Sequence, residues 1–136
     1  MLDAMTERAA GLRAAGLPLV ITGDFNVAPS DLDVYDTAAF ASSTHVTAEE
    51  RGRLGELCAA GELVDAYRAL HPEEVGYTWW DYRQGHFHRK LGLRIDLALV
   101  SSSLTGSLVD CGIRRDFRKG TKPSDHAPLV VEIEGL

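Results

Sequence analysis

The chain has 136 residues, 45% hydrophobic and 25% charged, with a formal net charge of −6. That length supports one domain with a buried core, and the composition is ordinary for a globular protein. No apolar run approaches the ~20 residues of a membrane span, and Met1–Glu7 lacks the cationic start and apolar stretch of a signal peptide. Cys58 and Cys111 form no Cys-x-x-Cys pair. They read as reduced core residues of a cytoplasmic protein.

In chain order, residues 2–15 predict an amphipathic helix, with Leu2, Met5, Ala9 and Leu12 at helical spacing and Gly16 and Pro18 ending it. Residues 18–22 predict a short apolar strand in a buried sheet position. Asn26 to Asp31 is a loop in which Pro29-Ser30 opens a helical turn, and residues 37–46 are irregular. Thr47-Ala-Glu-Glu50 is a capping box. Its helix carries Leu54, Leu57 and Cys58 on one face and stops at Gly61. Leu63 to Leu70 predicts a second short helix, closed by His71-Pro72. Strands are expected at 77–82, 94–100, 107–116 and 129–133, with loops at 84–93 and 117–124. In the strand 94–100, Ile95, Leu97 and Leu99 share one face, and Asp96 points the other way with Ala98.

The net charge argues mildly against nucleic acid as a partner, but the charges are uneven. Arg83, Arg89, Lys90 and Arg94 cluster in one stretch with His86 and His88. Arg114, Arg115, Arg118, Lys119 and Lys122 form another. Two basic loops on an acidic protein fit a local DNA-binding face, and they fit two solvated loops equally well.

The chemistry-bearing residues lie at strand ends. Asp24 and Asn26 follow a hydrophobic run, where α/β sheets build sites. A carboxylate there can ligate Mg²⁺ or take a proton from water, and an amide two residues on can orient that water or donate to a phosphate. A simple turn is the competing explanation, because Gly, Asp and Asn are turn formers. Asp96 sits inside an apolar strand and needs a partner if buried. That partner is either an arginine, Arg94 or Arg68, or the imidazole of His126, whose tautomer the carboxylate would fix. Asp125 and His126 put an acid and a base side by side before the last strand. A Ser124–His126–Asp96 hydrolase triad is the weaker reading, because no Gly-x-Ser-x-Gly elbow is present. Trp79, Trp80 and Tyr82 are core residues by type, with stacking on a base or lining a sugar pocket as the second use.

Gly23-Asp-Phe-Asn26, Val64-Asp65, Tyr77-Thr-Trp-Trp-Asp-Tyr-Arg83, Gly92-Leu-Arg-Ile-Asp-Leu97 and Lys122-Pro-Ser-Asp-His-Ala-Pro128 resemble, in order and spacing, the exodeoxyribonuclease III branch of the endonuclease/exonuclease/phosphatase superfamily. The resemblance runs from Pro18 onward. It implies an α/β fold, half of a four-layer α/β/β/α sandwich with a mixed sheet and helices on one face. It implies metal-dependent hydrolysis of DNA phosphodiesters at abasic sites and 3′ ends, with Mg²⁺, or Mn²⁺ in its place. Asp24 is then the acid that activates water, Asn26 its orienting neighbour and phosphate contact, Asp96 the partner of His126, and His126 a phosphate-contacting catalytic residue. Asp125 is implied as a metal ligand, with Asp24, Asn26 and His126 completing the candidate ligand set. Trp79, Leu93 and Ile95 align with a pocket for the base-less sugar, Leu93 standing where many members have tryptophan. Arg83 and Arg94 are candidate substrate contacts.

Members of that branch are roughly twice as long. Their N-terminal half supplies a metal-binding Glu, an Asn near the start, a catalytic Tyr and DNA-contacting loops, none of which has a counterpart before Gly23. The chain therefore reads as a C-terminal half. The expected partners are duplex DNA and a separate N-terminal half, with no membrane. An uncovered sheet face would make the isolated chain self-associate. The rival readings are another phosphoesterase of the superfamily and a non-catalytic remnant that binds DNA or a partner.

Overall fold

The computed structural model describes residues 2–35, 45–80, 92–114 and 126–135. Helix α1 spans Leu2–Ala14, strand β1 Val20–Asp24, a 3-10 turn Asp31–Asp33, α2 Ala48–Gly61, β2 Leu63–Asp65 and α3 Ala66–Leu70. Then come β3 (Trp79–Trp80), β4 (Gly92–Leu93), β5 (Asp96–Ser101), a second 3-10 segment (Ser102–Ser107), β6 (Leu108–Ile113) and β7 (Leu129–Ile133). Helix α1 ends where Gly16, at φ +75°, lets its own N–H reach the Arg13 carbonyl and the Leu17 N–H reach Leu12. Helix α2 starts where the Thr47 hydroxyl accepts the Glu50 N–H at 3.1 Å, as the capping box predicts. The short helix expected over 63–70 is corrected. Leu63–Asp65 joins β5 as a strand, and Asp65 then caps α3 by accepting the Arg68 N–H at 3.3 Å.

Strand β5 is the axis of the molecule. It lies between β1 and β2, antiparallel to both, while β3–β4 and β6–β7 form separate antiparallel ladders. No parallel pair of the expected mixed sheet falls among the described residues. On one face Leu97 and Leu99 pack with Ala9 of α1, Leu54 and Leu57 of α2, and Phe25. On the other, Ala98 and Val100 pack with Ala66 and Tyr67 of α3 and Cys111 of β6, with Val131 and Ile133 of β7 against them. A bare face on this strand, expected from the sequence, is therefore corrected. The two long helices cover one side, and α3 with the β6–β7 ladder covers the other. Each large aliphatic side chain buried this way contributes about 1.5–3 kcal/mol.

Strand β1 departs from expectation in the opposite sense. It begins two residues later than the apolar run and is largely exposed, with Val20 at 37%. Its pairing explains this: among the described residues it has β5 on one side only. Cys58 and Cys111 are both free thiols, and burial pushes the Cys111 thiol up to about 11.

A buried ion network lies behind the sheet end. The Arg94 side chain has no exposed surface. Its Nε donates to Asp33 at 2.7 Å, and its Nη1 and Nη2 donate to Asp65 at 3.1 and 2.6 Å. Arg68 also bonds Asp33, and the Arg94 guanidinium lies 4.9 Å from the centre of the Tyr67 ring. Burial alone would raise the Asp33 pKa, but the bonds and charges of Arg94 and Arg68 outweigh it, and the net shift is downward.

That shift has a sign. A carboxyl depressed in the fold adds stability above its unfolded value, and the contribution is lost as pH falls through the folded one. Urea midpoints of the chain should therefore fall as pH drops below about 4. Asp33→Asn should cost about 3–5 kcal/mol at neutral pH, because it strands part of a buried guanidinium, and should weaken the acid dependence. An Asp33→Asn protein as stable as the parent at pH 7 would refute this.

Candidate active site

Three segments meet at one end of β5. Asp24, the last residue of β1, is the register partner of Asp96, the first of β5. His126 arrives from before β7 and forms an isolated antiparallel bridge with Trp79. The His126 Nδ1 lies 2.7 Å from Asp96 Oδ2, and its Nε2 lies 3.7 Å from Asp24 Oδ2. One ligand atom from each of Asp24, Asp96 and His126 falls within 4.8 Å of the other two. Asp24 and Asn26 are exposed, whereas Asp96 and His126 are half-buried. An open recess of about 350 Å³ lies beside the pair, with Thr22, Gly23 and Pro128 among its lining residues.

The local chain conformation sets these positions. Asn26 has φ +57°, in the left-handed region that asparagine tolerates better than most residues. Its N–H donates to Asp24 Oδ1 at 2.9 Å, closing an Asx-type turn. Phe25 is anchored by its N–H to the Ile95 carbonyl at 2.9 Å. The turn explanation of Gly-Asp-Phe-Asn is thus realised, and the same turn ends β1 with Asp24 beside His126. Asp96 has its carboxyl pKa raised. Burial pushes it up, hydrogen bonds from His126 and Thr78 and the His126 charge pull it down, and the nearby Asp24 carboxylate pushes up again.

Asp96 pairs with His126, and the two arginines weighed as its alternative partners are bound to Asp33 and Asp65 instead. Arg94 as a substrate contact is corrected: with no exposed surface and its guanidinium held by two aspartates, it is part of the scaffold. Leu93 and Ile95 are 0% and 1% exposed, packed with Ala28 and Val34, so of the three expected sugar-pocket residues only Trp79 keeps accessible surface. Asp125 and Arg83 lie outside the described residues, as do most of both basic stretches. Arg114, which is described, pairs with Asp110 at 3.5 Å.

Two residues near the site had no role assigned to them from the sequence. Thr78 is fully buried and receives the N–H groups of both Ile95 and Asp96 on its hydroxyl oxygen at 3.0 Å each. His45 lies with its ring 5.8 Å from that of Trp79 and its Nδ1 2.9 Å from the Asn26 carbonyl.

The donor set bears on which metal would fit. Mg²⁺ favours oxygen ligands and keeps several waters. The Asp24 carboxylate and the Asn26 amide oxygen suit it. The imidazole nitrogen of His126 suits it less, because Mg²⁺ prefers oxygen to nitrogen donors.

A half-buried histidine between two carboxylates at the end of a sheet is an arrangement that hydrolytic and phosphoryl-transfer centres can use. The chain belongs to the endonuclease/exonuclease/phosphatase family, whose model matches residues 1–126. It is 39% identical over 124 residues to exodeoxyribonuclease III of Haemophilus influenzae, covering 86% of this chain and 46% of that protein. It is 33% identical over 115 residues to the DNA repair nuclease APEX1 of Danio rerio, covering 84% and 36%. Among solved structures it superposes with TM-score 0.92 at 40% identity on a Neisseria 3′ phosphatase, NExo, bound to a product DNA hairpin, covering 98% of this chain and 52% of that one. An AP endonuclease from Archaeoglobus fulgidus gives TM-score 0.85 at 32% identity, with 98% and 53% covered. The chain thus matches half of that fold, and spans about half the length of the curated relatives it matches.

The Asn26 conformation predicts how substitutions divide. Asn26→Ala should cost about 1–2 kcal/mol in a denaturant titration, from left-handed strain. Asn26→Gly should cost well under half of that, although it too removes the amide. Equal losses would mean that the side chain, and not the backbone, carries the stability at this position.

Proposed function

We propose that this chain carries the catalytic aspartate–histidine half of a metal-dependent DNA phosphodiesterase that acts at abasic sites and 3′ ends. The observation that carries the reading is the Asp96–His126–Asp24 arrangement, with His126 between one carboxylate at 2.7 Å and another at 3.7 Å. The related 3′ phosphatase and repair nucleases support a DNA substrate. A divalent ion, Mg²⁺ or Mn²⁺, held by Asp24 with Asn26 and Asp125, would neutralise the phosphate and stabilise the leaving oxygen.

The chain's own residues then divide the work. Asp24, exposed at the strand end, takes the proton of the attacking water. Asn26, held beside it by the Asx-type turn, orients that water and donates to a phosphate oxygen. Asp96 accepts from His126 Nδ1, which fixes the orientation of the ring. The Nε2 edge of His126 faces the phosphate and stabilises charge developing on it. Trp79, alone among the expected pocket residues in keeping accessible surface, offers a stacking face at the same edge.

Two measurements test this. The isolated chain should cleave abasic duplex DNA with Mg²⁺ very poorly or not at all, and an added N-terminal segment from a full-length relative should raise the rate. In the reconstituted enzyme Asp24→Asn should lower turnover by about 10²–10⁴-fold. Robust cleavage by the chain alone, lost in Asp24→Asn, would show that the other half is dispensable. Reconstituted protein that hydrolyses small phosphate esters but no DNA would favour another phosphoesterase of the family.

The second test concerns association. β1 has one partner strand among the described residues, and Val20 and Leu17 beside it are 37% and 53% exposed. An open strand edge with apolar flanks recruits another strand. The chain should therefore self-associate at micromolar concentration in analytical ultracentrifugation, and should bind the N-terminal segment in preference. Val20→Lys should return it to monomer. A parent chain that stays monomeric and ignores the segment would rule this out.

A further inference from the structure

Thr78 sits where the chain segments of the site cross. It has no exposed surface. Its main chain is engaged on both sides: its N–H donates to the Leu93 carbonyl at 2.9 Å, and its carbonyl accepts the Ala127 N–H at 2.7 Å. Its hydroxyl oxygen accepts the consecutive N–H groups of Ile95 and Asp96, each at 3.0 Å. A hydroxyl that accepts twice still has one proton to give. The next residue, Trp79, bridges His126 directly. Thr78 therefore touches the Asp96 segment through its side chain and the His126 segment through its backbone.

We propose that Thr78 is a positioning residue for the Asp96–His126 pair, fixing both the carboxylate and the imidazole so that His126 keeps its proton on Nδ1. The proposal rests on the reading of His126 as a working residue of the site. Two features separate this role from simple core filling. Valine would fill the same volume, so a filler would need no hydroxyl. Consecutive N–H groups converging on one oxygen also hold the peptide between Ile95 and Asp96 in one orientation, and that orientation aims the Asp96 side chain at the ring. With the carboxylate aimed at the ring, 2.7 Å from Nδ1, the pair favours a proton on Nδ1, and Nε2 faces the Asp24 side of the site.

The test reads the ring itself. In the purified chain, imidazole nitrogen shifts of His126 can be followed through its carbon-bound protons by long-range proton–nitrogen NMR, with the ring neutral. The parent and Thr78→Ser should show protonated Nδ1 and unprotonated Nε2. Thr78→Val should shift toward the Nε2–H form that free imidazole side chains prefer, and the separation between the two nitrogen signals should fall by at least half. Retention of the parent pattern in Thr78→Val would overturn the proposal. So would its loss in Thr78→Ser, or a parent ring that does not carry its proton on Nδ1. If Thr78→Val does not fold, Thr78→Ser alone decides, since the proposal requires the hydroxyl to be sufficient. The readout does not depend on DNA cleavage. A ring that responds to Thr78 in a protein that hydrolyses no DNA would leave the positioning role standing and count against the proposed function instead.

Discussion

The buried guanidinium of Arg94 is the constraint on which the rest of the structure depends. It is held by Asp33 from the 3-10 turn and by Asp65 from the start of α3, and its backbone N–H donates to the Asp33 carbonyl at 2.9 Å. These bonds tie together segments that are distant in sequence at a point two residues before Asp96. A charge this deep is costly unless it is paired and hydrogen-bonded, and here two aspartates bond all three guanidinium nitrogens, Asp33 also pairing Arg68. Buried ion networks often stabilise no more than an apolar core of the same volume, but they tolerate few alternatives. The turn, β2 and α3 must all be in place before the charge is satisfied, so the start of β5 has a single address.

From that address the site follows with little further instruction. β5 runs away from the network with both faces buried, which leaves its first residue as the one place where a polar side chain can face outward. Asp24 is set opposite by strand register, and His126 is brought in by the ladder bonds around Thr78 and Trp79. Asp24, Asp96 and His126 are thus each placed by main-chain pairing. Geometry of this kind is maintained without a ligand, and such pre-organisation is what a site needs if charge is to be stabilised without reorganisation during the reaction.

Much of this was legible in the sequence, and the reasons differ by element. The α2 cap, the last strand and the alternation of β5 are local signals and appeared where expected. The helix expected over 63–70 begins only at Ala66, because Leu63 to Asp65 are drawn into pairing with β5, a tertiary effect that overrides local preference. The apolar run before Gly23 looked buried, but its exposure is decided by which strands flank it, and that is not written in the run itself. The cluster of Asp24, Asp96 and His126 could be anticipated because its residue types are costly or conspicuous where they stand. Thr78 could not, because a threonine in a β-prone stretch is unremarkable until its hydroxyl is seen to collect two N–H groups. Arg94 misled for a related reason: an arginine beside a site suggests a substrate, and only the depth of Asp33 and Asp65 shows that its charge is already spoken for.

The left-handed turn at Asn26 has a consequence for how descendants of this fold can be read. At φ +57° the acceptable alphabet is short, and asparagine, aspartate and glycine head it. A lineage that abandoned its chemistry would still be under pressure to keep one of these residues there, because the backbone asks for it whether or not a water molecule needs orienting. Asparagine at this position is therefore poor testimony that a relative is still an enzyme. The aspartate at the head of β5 is better testimony, since nothing in the strand geometry requires a carboxylate there and a silent copy would be free to trade it for an uncharged residue.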